Sequence, residues 1–214
     1  MANKALVVGA SGFSKKYIKK IIADYDFVIA CDKGAEAFYG MDMEFDLCIG
    51  DFDSLDKNVR EYFKSKDTIE YPVEKDFSDL ELAINYLIEK DFQRIDFTGV
   101  LGGRLSHELF NLGLFLKIKK EGRRVSIREA ATRCDFLSNN EVLNIPKGLE
   151  VSVVPFYDDD TTISMKGFRW NLKDKKINRG STLTLSNYTV EEGYIMVKGN
   201  PVMVVIEPIE KKIQ

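Results

Sequence analysis

The chain has 214 residues, three cysteines, one histidine and a formal net charge of −3, with 31 Lys plus Arg against 34 Asp plus Glu. That balance, with no basic run, argues against duplex nucleic acid as a partner. No apolar run approaches the roughly 20 residues of a membrane-spanning helix. The hydrophobic content of 44% supports a real core in one large domain or two small ones.

The opening residues Met1-Ala2-Asn3-Lys4 lack the layout of a secretory signal and lead directly into a strand, Lys4–Val8. A glycine loop, Gly9-Ala10-Ser11-Gly12, separates it from a helix over Ser14–Ala23. Strand Phe27–Cys31 and a short helix Lys33–Tyr39 follow, then strand Leu47–Ile49, helix Lys57–Lys64, strand Thr68–Tyr71 and helix Asp79–Glu89. Strand Arg94–Thr98, a helix over Ser106–Lys119 and strand Val125–Glu129 complete the alternation. Strands alternating with helices predict an α/β domain with a mostly parallel sheet covered on both faces.

The pattern changes near Arg133. Short strand-like runs at Val142–Ile145, Glu150–Pro155, Thr161–Met165, Thr182–Leu185, Tyr194–Val197 and Val202–Ile206 are broken by turn signals, including Asn178-Arg179-Gly180 and Glu192-Gly193. This predicts a C-terminal all-β domain, a sandwich or partial barrel. The expected division is residues 1–132 and 133–214. Cys31, Cys48 and Cys134 are odd in number and hold no metal-ligand spacing, so buried reduced thiols in a cytoplasmic protein are expected.

Asp51 and Asp53 form the most informative segment, Ile49-Gly50-Asp51-Phe52-Asp53-Ser54, at the end of a buried strand. A sharp turn there brings two carboxylates to one point, where at about 4 Å they repel by roughly 4 kcal/mol at an effective dielectric near 20. A hard divalent cation such as Mg²⁺ removes that repulsion. The competing reading is a solvated turn with an Asp cap on the next helix. A second acidic cluster, Glu74-Lys75-Asp76-Phe77-Ser78-Asp79, opens the amphipathic helix, with Ser78 or Asp76 as N-cap and Asp79 in a first turn that favours negative charge. Asp32, in Asp32-Lys33-Gly34-Ala35, reads either as a ligand residue at a strand end or as a helix cap. The segment Gly99-Val100-Leu101-Gly102-Gly103-Arg104 frees backbone N–H donors and adds a guanidinium suited to phosphate. Its spacing matches neither a Walker nor a dinucleotide fingerprint. His107 falls in the first turn of the following helix, and Asn111 shares its face. The single tryptophan, Trp170, sits between polar neighbours, where an aromatic plane can stack on a flat ring. Ser186-Asn187 is a polar break between strands.

These segments, in this order and over nearly the whole chain, resemble the thiamine pyrophosphokinase (thiamine diphosphokinase) family. The resemblance rests on Asp32-Lys33-Gly34-Ala35, Gly50-Asp51-Phe52-Asp53-Ser54, Lys75-Asp76-Phe77-Ser78-Asp79, Gly102-Gly103-Arg104-Leu105-Ser106-His107, Gly167-Phe168-Arg169-Trp170-Asn171-Leu172 and Ser186-Asn187. It implies an N-terminal ATP-binding domain and a C-terminal thiamine-binding and dimerisation β-sandwich. It also implies a homodimer with the active site at the subunit interface, and Mg²⁺-dependent transfer of diphosphate from ATP to the thiamine hydroxyl with release of AMP. By matching position, Asp51, Asp53 and Asp79 resemble the metal and phosphate site, with Arg104 as a catalytic cation. Asp32, Lys33, Gly34, Lys75, Asp76, Ser78, Gly102, Gly103 and His107 resemble its nucleotide-facing neighbours, and Trp170, Ser186 and Asn187 the thiamine-binding residues. Two departures stand out. Ser106 occupies a position where the family usually carries Asp, and Lys33 replaces a usual Gly. Three other readings compete: a hydroxymethylpterin diphosphokinase, a non-catalytic binding protein and an Asp-x-Asp phosphatase.

Overall fold

Mostly buried runs joined by connections too long for hairpins suit the parallel pairing of an α/β sheet. The computed structural model describes residues 3–41, 43–53, 55–63, 66–74, 76–158 and 161–209. The chain divides into two compact units, Met1–Phe115 with Arg123–Ala130, and Leu116–Gly122 with Ala131–Gln214.

The first unit holds strands β1 (Lys4–Ser11), β2 (Phe27–Cys31), β3 (Leu47–Gly50), β4 (Thr68–Glu70), β5 (Arg94–Val100) and β6 (Arg124–Arg128). All pair in parallel, in the order β6-β5-β1-β2-β3-β4. The chain lays β1 to β4 outward in one direction, then returns to add β5 on the other side of β1. Between β1 and β5 the strand order reverses, and in open α/β sheets ligands bind beyond the carboxyl ends at that point.

Helix starts follow side-chain caps. Ser14 accepts the Tyr17 N–H at 3.3 Å to begin α1 (Lys15–Ile21), and Asp56 accepts the Asn58 N–H at 2.8 Å to begin α2 (Lys57–Tyr62). Ser78 accepts the Glu81 N–H at 3.2 Å to begin α3 (Asp79–Glu89), which buries Leu80, Ala83, Ile84 and Leu87. Helix α4 spans Leu105–Lys120. Toward the amino end of β5, the fully buried Asp96 accepts from the Tyr25 hydroxyl at 2.9 Å and from Arg94 at 3.1 Å.

Two expectations change here. The segment expected as a helix over 33–39 is a 3-10 stretch, Asp32–Ala37, and β1 continues through the expected loop to Ser11. Glycines explain both. A Cβ on Gly34 would collide with the Val8 carbonyl oxygen, so the 3-10 stretch lies backbone-to-backbone on β1. Gly9 and Gly99 meet in the same way, each Cβ position 2.5 Å from the other's carbonyl oxygen.

The second unit holds β7 (Arg133–Leu137), β8 (Glu141–Ile145), β9 (Leu149–Pro155), β10 (Thr161–Phe168), β11 (Leu172–Lys176), β12 (Asn187–Gly199) and β13 (Val202–Pro208), paired antiparallel. Strand β12 serves two sheets: Asn187 and Tyr188 pair with β9, while later residues pair with β8 and β10. Val151, Val153, Ile163, Met165, Ile195, Val197, Val202 and Val204 form a common core. The strand expected over 182–185 is instead a turn, closed by the Leu185 N–H on the Thr182 carbonyl at 3.1 Å. Its alternation is inverted: Thr184 is buried against the Val153 carbonyl, while Leu183 and Leu185 are exposed. No turn forms at Glu192-Gly193, because β12 runs through it beside a bulge at Gly167, whose φ is 86°. A Cβ on Gly193 would lie 2.7 Å from the Lys166 carbonyl oxygen, so the glycine serves close packing. Strands β7 and β11 were not anticipated; β11 is a lysine-rich edge without an apolar alternation.

Gly34→Ala is expected to destabilise the first unit by about 3 kcal/mol, because neither backbone can yield without breaking the sheet. Urea unfolding measures this; an unchanged midpoint would show that the contact with Val8 is not tight.

Candidate functional site

At the reversal point between β1 and β5 lies a cavity of about 580 Å³, within the size range of small-molecule sites. Strand ends supply Gly9, Ser11, Cys31, Asp32, Gly99 and Val100, and helix starts supply Ser78, Asp79, Ser106, His107, Phe110 and Asn111. Asp32 adopts φ 43°, a left-handed turn out of β2, and its Oδ1 is withdrawn from solvent, as is that of Asp79. Gly50 is needed beside it, since a Cβ there would lie 3.1 Å from the Asp32 Cβ.

Asp51 and Asp53 are brought together by the residue between them. Phe52 takes φ 58° and buries its ring in the core cluster with Phe38, Phe45 and Phe63, so both flanking carboxylates turn outward. The Asp53 N–H donates to Asp51 Oδ1 at 3.3 Å. The Asp53 carboxyl is held above the usual carboxylate range, first by a hydrogen bond with Asp51 and by its charge, then by slight desolvation and by the charges of Asp32 and Asp79. Asp51 and Asp53 do not line the cavity, but the charges of its Asp32 and Asp79 reach Asp53. Among the described residues, no three His, Cys, Asp or Glu side chains converge as a ready metal cage. Mg²⁺ does not require one, since it retains waters and takes one or two carboxylates plus substrate phosphates. The oxygen donors present fit that ion.

The other predicted residues divide. Ser78 and His107 line the cavity with Asp32 and Asp79. Lys33, Asp76, Gly102 and Arg104 are exposed, and Arg104 contributes its carbonyl to the first turn of α4, accepting the Glu108 N–H at 3.1 Å. Gly34 is buried against Val8, a packing role. Lys75 lies outside the described residues. The glycine turn after β5 is not an open row of donors. The Val100 N–H donates to Glu129 at 3.2 Å and the Gly103 N–H to Glu108 at 2.8 Å, so two donors expected to face phosphate already face carboxylates.

In the second unit, Trp170 is 58% exposed and meets Tyr188 edge-to-face at 5.8 Å. Asn187 is buried, and its amide is engaged from both ends: Oδ1 accepts from the Trp170 N–H at 3.2 Å, and Nδ2 donates to the Trp170 carbonyl at 2.8 Å. It fixes Trp170 rather than presenting a free edge. Ser186 is exposed at φ 53°, with its N–H on Ser152 Oγ at 2.9 Å. Sequence reasoning missed Cys31, Phe110 and Glu129. Phe110 was hidden because it reads as helix core, yet it is 79% exposed at the cavity. Glu129 was readable only as an acid just past a buried strand.

Comparison with known proteins places these observations. The family model "Thiamin pyrophosphokinase, catalytic domain" matches residues 18–127, and "Thiamin pyrophosphokinase, vitamin B1 binding domain" matches residues 140–200. A thiamine pyrophosphokinase of Bacillus subtilis is 29% identical over 192 residues, covering 86% of this chain and 84% of that protein. The crystal structure of a Bacillus subtilis thiamine pyrophosphokinase superposes with a TM-score of 0.82 at 24% identity, over 96% of this chain and all of that one. A thiamin pyrophosphokinase from Candida albicans gives 0.78 at 16% identity, over 97% of this chain and 89% of that one.

Because the Asp53 carboxyl is raised in the fold, its contribution to stability is present at low pH and lost as pH rises through that raised value. Asp51→Asn should return the Asp53 titration toward the ordinary range by carboxyl NMR and raise the melting temperature at pH 7. A lower melting temperature would contradict the crowding.

Proposed function

The chain belongs to the thiamin pyrophosphokinase family, and on that premise we propose that the carboxylate-lined cavity of the first unit is where diphosphate passes from ATP to thiamine. The activity is that of an ATP-dependent diphosphotransferase, giving thiamine diphosphate and AMP. The observation that carries the site assignment is a nucleotide-sized cavity at the strand-order reversal, whose lining residues Asp32, Ser78 and Asp79 fall in the segment matching the catalytic domain. The vitamin B1 binding match over the segment containing Trp170 favours thiamine over a pterin.

In this reading the thiamine hydroxyl oxygen attacks the β-phosphorus of ATP in line. A new O–P bond forms, the bond from the β-phosphorus to the α,β-bridging oxygen breaks, and AMP leaves with that oxygen. Such transfer depends on positioning and charge neutralisation more than on covalent chemistry. One or two carboxylates of the set Asp51, Asp53 and Asp79 would hold Mg²⁺ together with substrate phosphates, and the ion would neutralise charge there. Arg104, exposed just before α4, would neutralise charge on the phosphates, and Lys75 is a second candidate cation. With Ser106 in place of a carboxylate, the hydroxyl proton falls to a remaining acid. Asp79 lines the cavity and Asp76 does not, which favours Asp79.

Trp170 would stack on the thiamine ring, its backbone held by Asn187, with Ser186 beside it. The exposed apolar side chains Trp170, Leu183 and Leu185 around this turn support a homodimer in which the ring site of one copy serves the nucleotide site of another. Three free buried cysteines suit a reducing cytoplasm.

Incubation with ATP, Mg²⁺ and thiamine should yield AMP and thiamine diphosphate. Asp53→Asn should lower turnover by about 100-fold or more with the fold intact. ADP as product, or near-full activity of that variant at saturating Mg²⁺, would refute the assignment. Trp170→Ala should raise KM for thiamine by about tenfold while leaving KM for ATP unchanged, consistent with about 1–3 kcal/mol per stacked ring. Equal changes in both constants would remove Trp170 from the ring site.

A further inference from the structure

Glu129, one residue beyond β6, takes no part in the chemistry above, yet it is largely enclosed and several donors converge on it. Its Oε2 accepts the Thr98 hydroxyl at 3.1 Å and its Oε1 the Val100 N–H at 3.2 Å. The N–H groups of Gly99 and Leu101 act on the same carboxyl. We propose that Glu129 is a positioning residue for the nucleotide: its carboxylate holds the Gly99–Leu101 turn in the shape that walls the cavity, and so sets ATP affinity without touching ATP. This rests on the assignment of the cavity as the ATP site.

The turn needs such an anchor. Gly99, next to last in β5, takes φ 68° against the Gly9 carbonyl where the pairing of β1 with β5 shifts register, and the Val100 N–H beside it goes to Glu129. Thr98 is fully buried, which leaves its hydroxyl dependent on an internal acceptor. Backbone N–H groups gathered around a residue of positive φ attract an anion, and at the end of β5 the protein supplies its own carboxylate to them. Gly99 and Val100 also line the cavity, so a shift of the turn changes the cavity wall.

Stability alone does not account for a charged group here. Burial raises the Glu129 carboxyl above its ordinary range, against the lowering effect of the donors. An acid raised in the fold loses its stabilising contribution as pH rises through the raised value, so ionising this side chain costs folding stability. Groups that burden folding cluster where geometry serves a site.

Glu129→Gln preserves size and removes the charge; Thr98→Val removes one donor. ATP affinity is read by calorimetry without thiamine, together with kcat, KM for thiamine, the melting temperature and amide exchange at Gly99–Leu101. Glu129→Gln should weaken ATP binding about tenfold and Thr98→Val less, in the range of supporting-residue effects. Amide exchange in the turn should accelerate. The turnover number and KM for thiamine should hold within about twofold, and the melting temperature within about 3 °C. ATP affinity unmoved in both variants would overturn the inference. So would failure of Glu129→Gln to fold, or a joint fall of all constants with melting temperature, since either makes the group structural. Absence of ATP binding in the unaltered chain would instead remove the functional assignment; retained binding with an unmoved variant removes this inference alone.

Discussion

Backbone-to-backbone contact at the carboxyl ends of β1 and β5 is the constraint on which the candidate site depends. Gly9 and Gly99 bring the two strands closer than any side chain would allow, and Gly34 brings the 3-10 stretch onto the same end of β1. With no side chains filling that space, a cavity opens beyond the strands. The reversal in strand order decides where it opens, and the helix starts decide what faces it. Asp79 arrives on the first turn of α3 because Ser78 caps it, and Ser106 and His107 arrive on the first turn of α4.

The acidic character of the site conflicts with stability. Asp51 meets Asp53 within the reach of the charges of Asp32 and Asp79, and the fold maintains that pairing through a buried phenyl ring in a left-handed residue. Phe52 is held by the aromatic cluster rather than by its own backbone preference, since a bulky residue seldom adopts positive φ. Hydrophobic burial elsewhere thus offsets the repulsion. Strain of this kind clusters at functional sites, and the counter-charge that paired carboxylates call for is a cation's.

Most of the first unit was legible in the sequence, because runs such as Ala5-Leu6-Val7-Val8 and Phe27–Cys31 admit little besides buried strands. Cap residues were equally clear, as Ser78 shows. Legibility failed where the signal was a contact rather than a period. Gly34 suggested ligand approach but serves chain packing, and the turn after β5 suggested phosphate donors that Glu129 and Glu108 already occupy. In the second unit, Leu183 and Leu185 resembled one face of a strand yet point outward, while Thr184 alone turns in. The lysine-rich β11 carries no apolar alternation, because an edge strand is under pressure to repel rather than to pack. The acidic residues stand out in the sequence by type, but how they are presented depends on φ angles at Asp32 and Phe52 that no pattern announces.

The clamp between Asn187 and Trp170 has an entropic consequence. Two hydrogen bonds tie the backbone at Trp170 in both directions, so the indole hangs from a segment already ordered before any ring arrives. Were a ring to stack there as proposed, only the two side-chain torsions of Trp170 would be left to restrict. A platform of this kind discriminates by shape, because it has little freedom to remould itself around a poorly fitting ring.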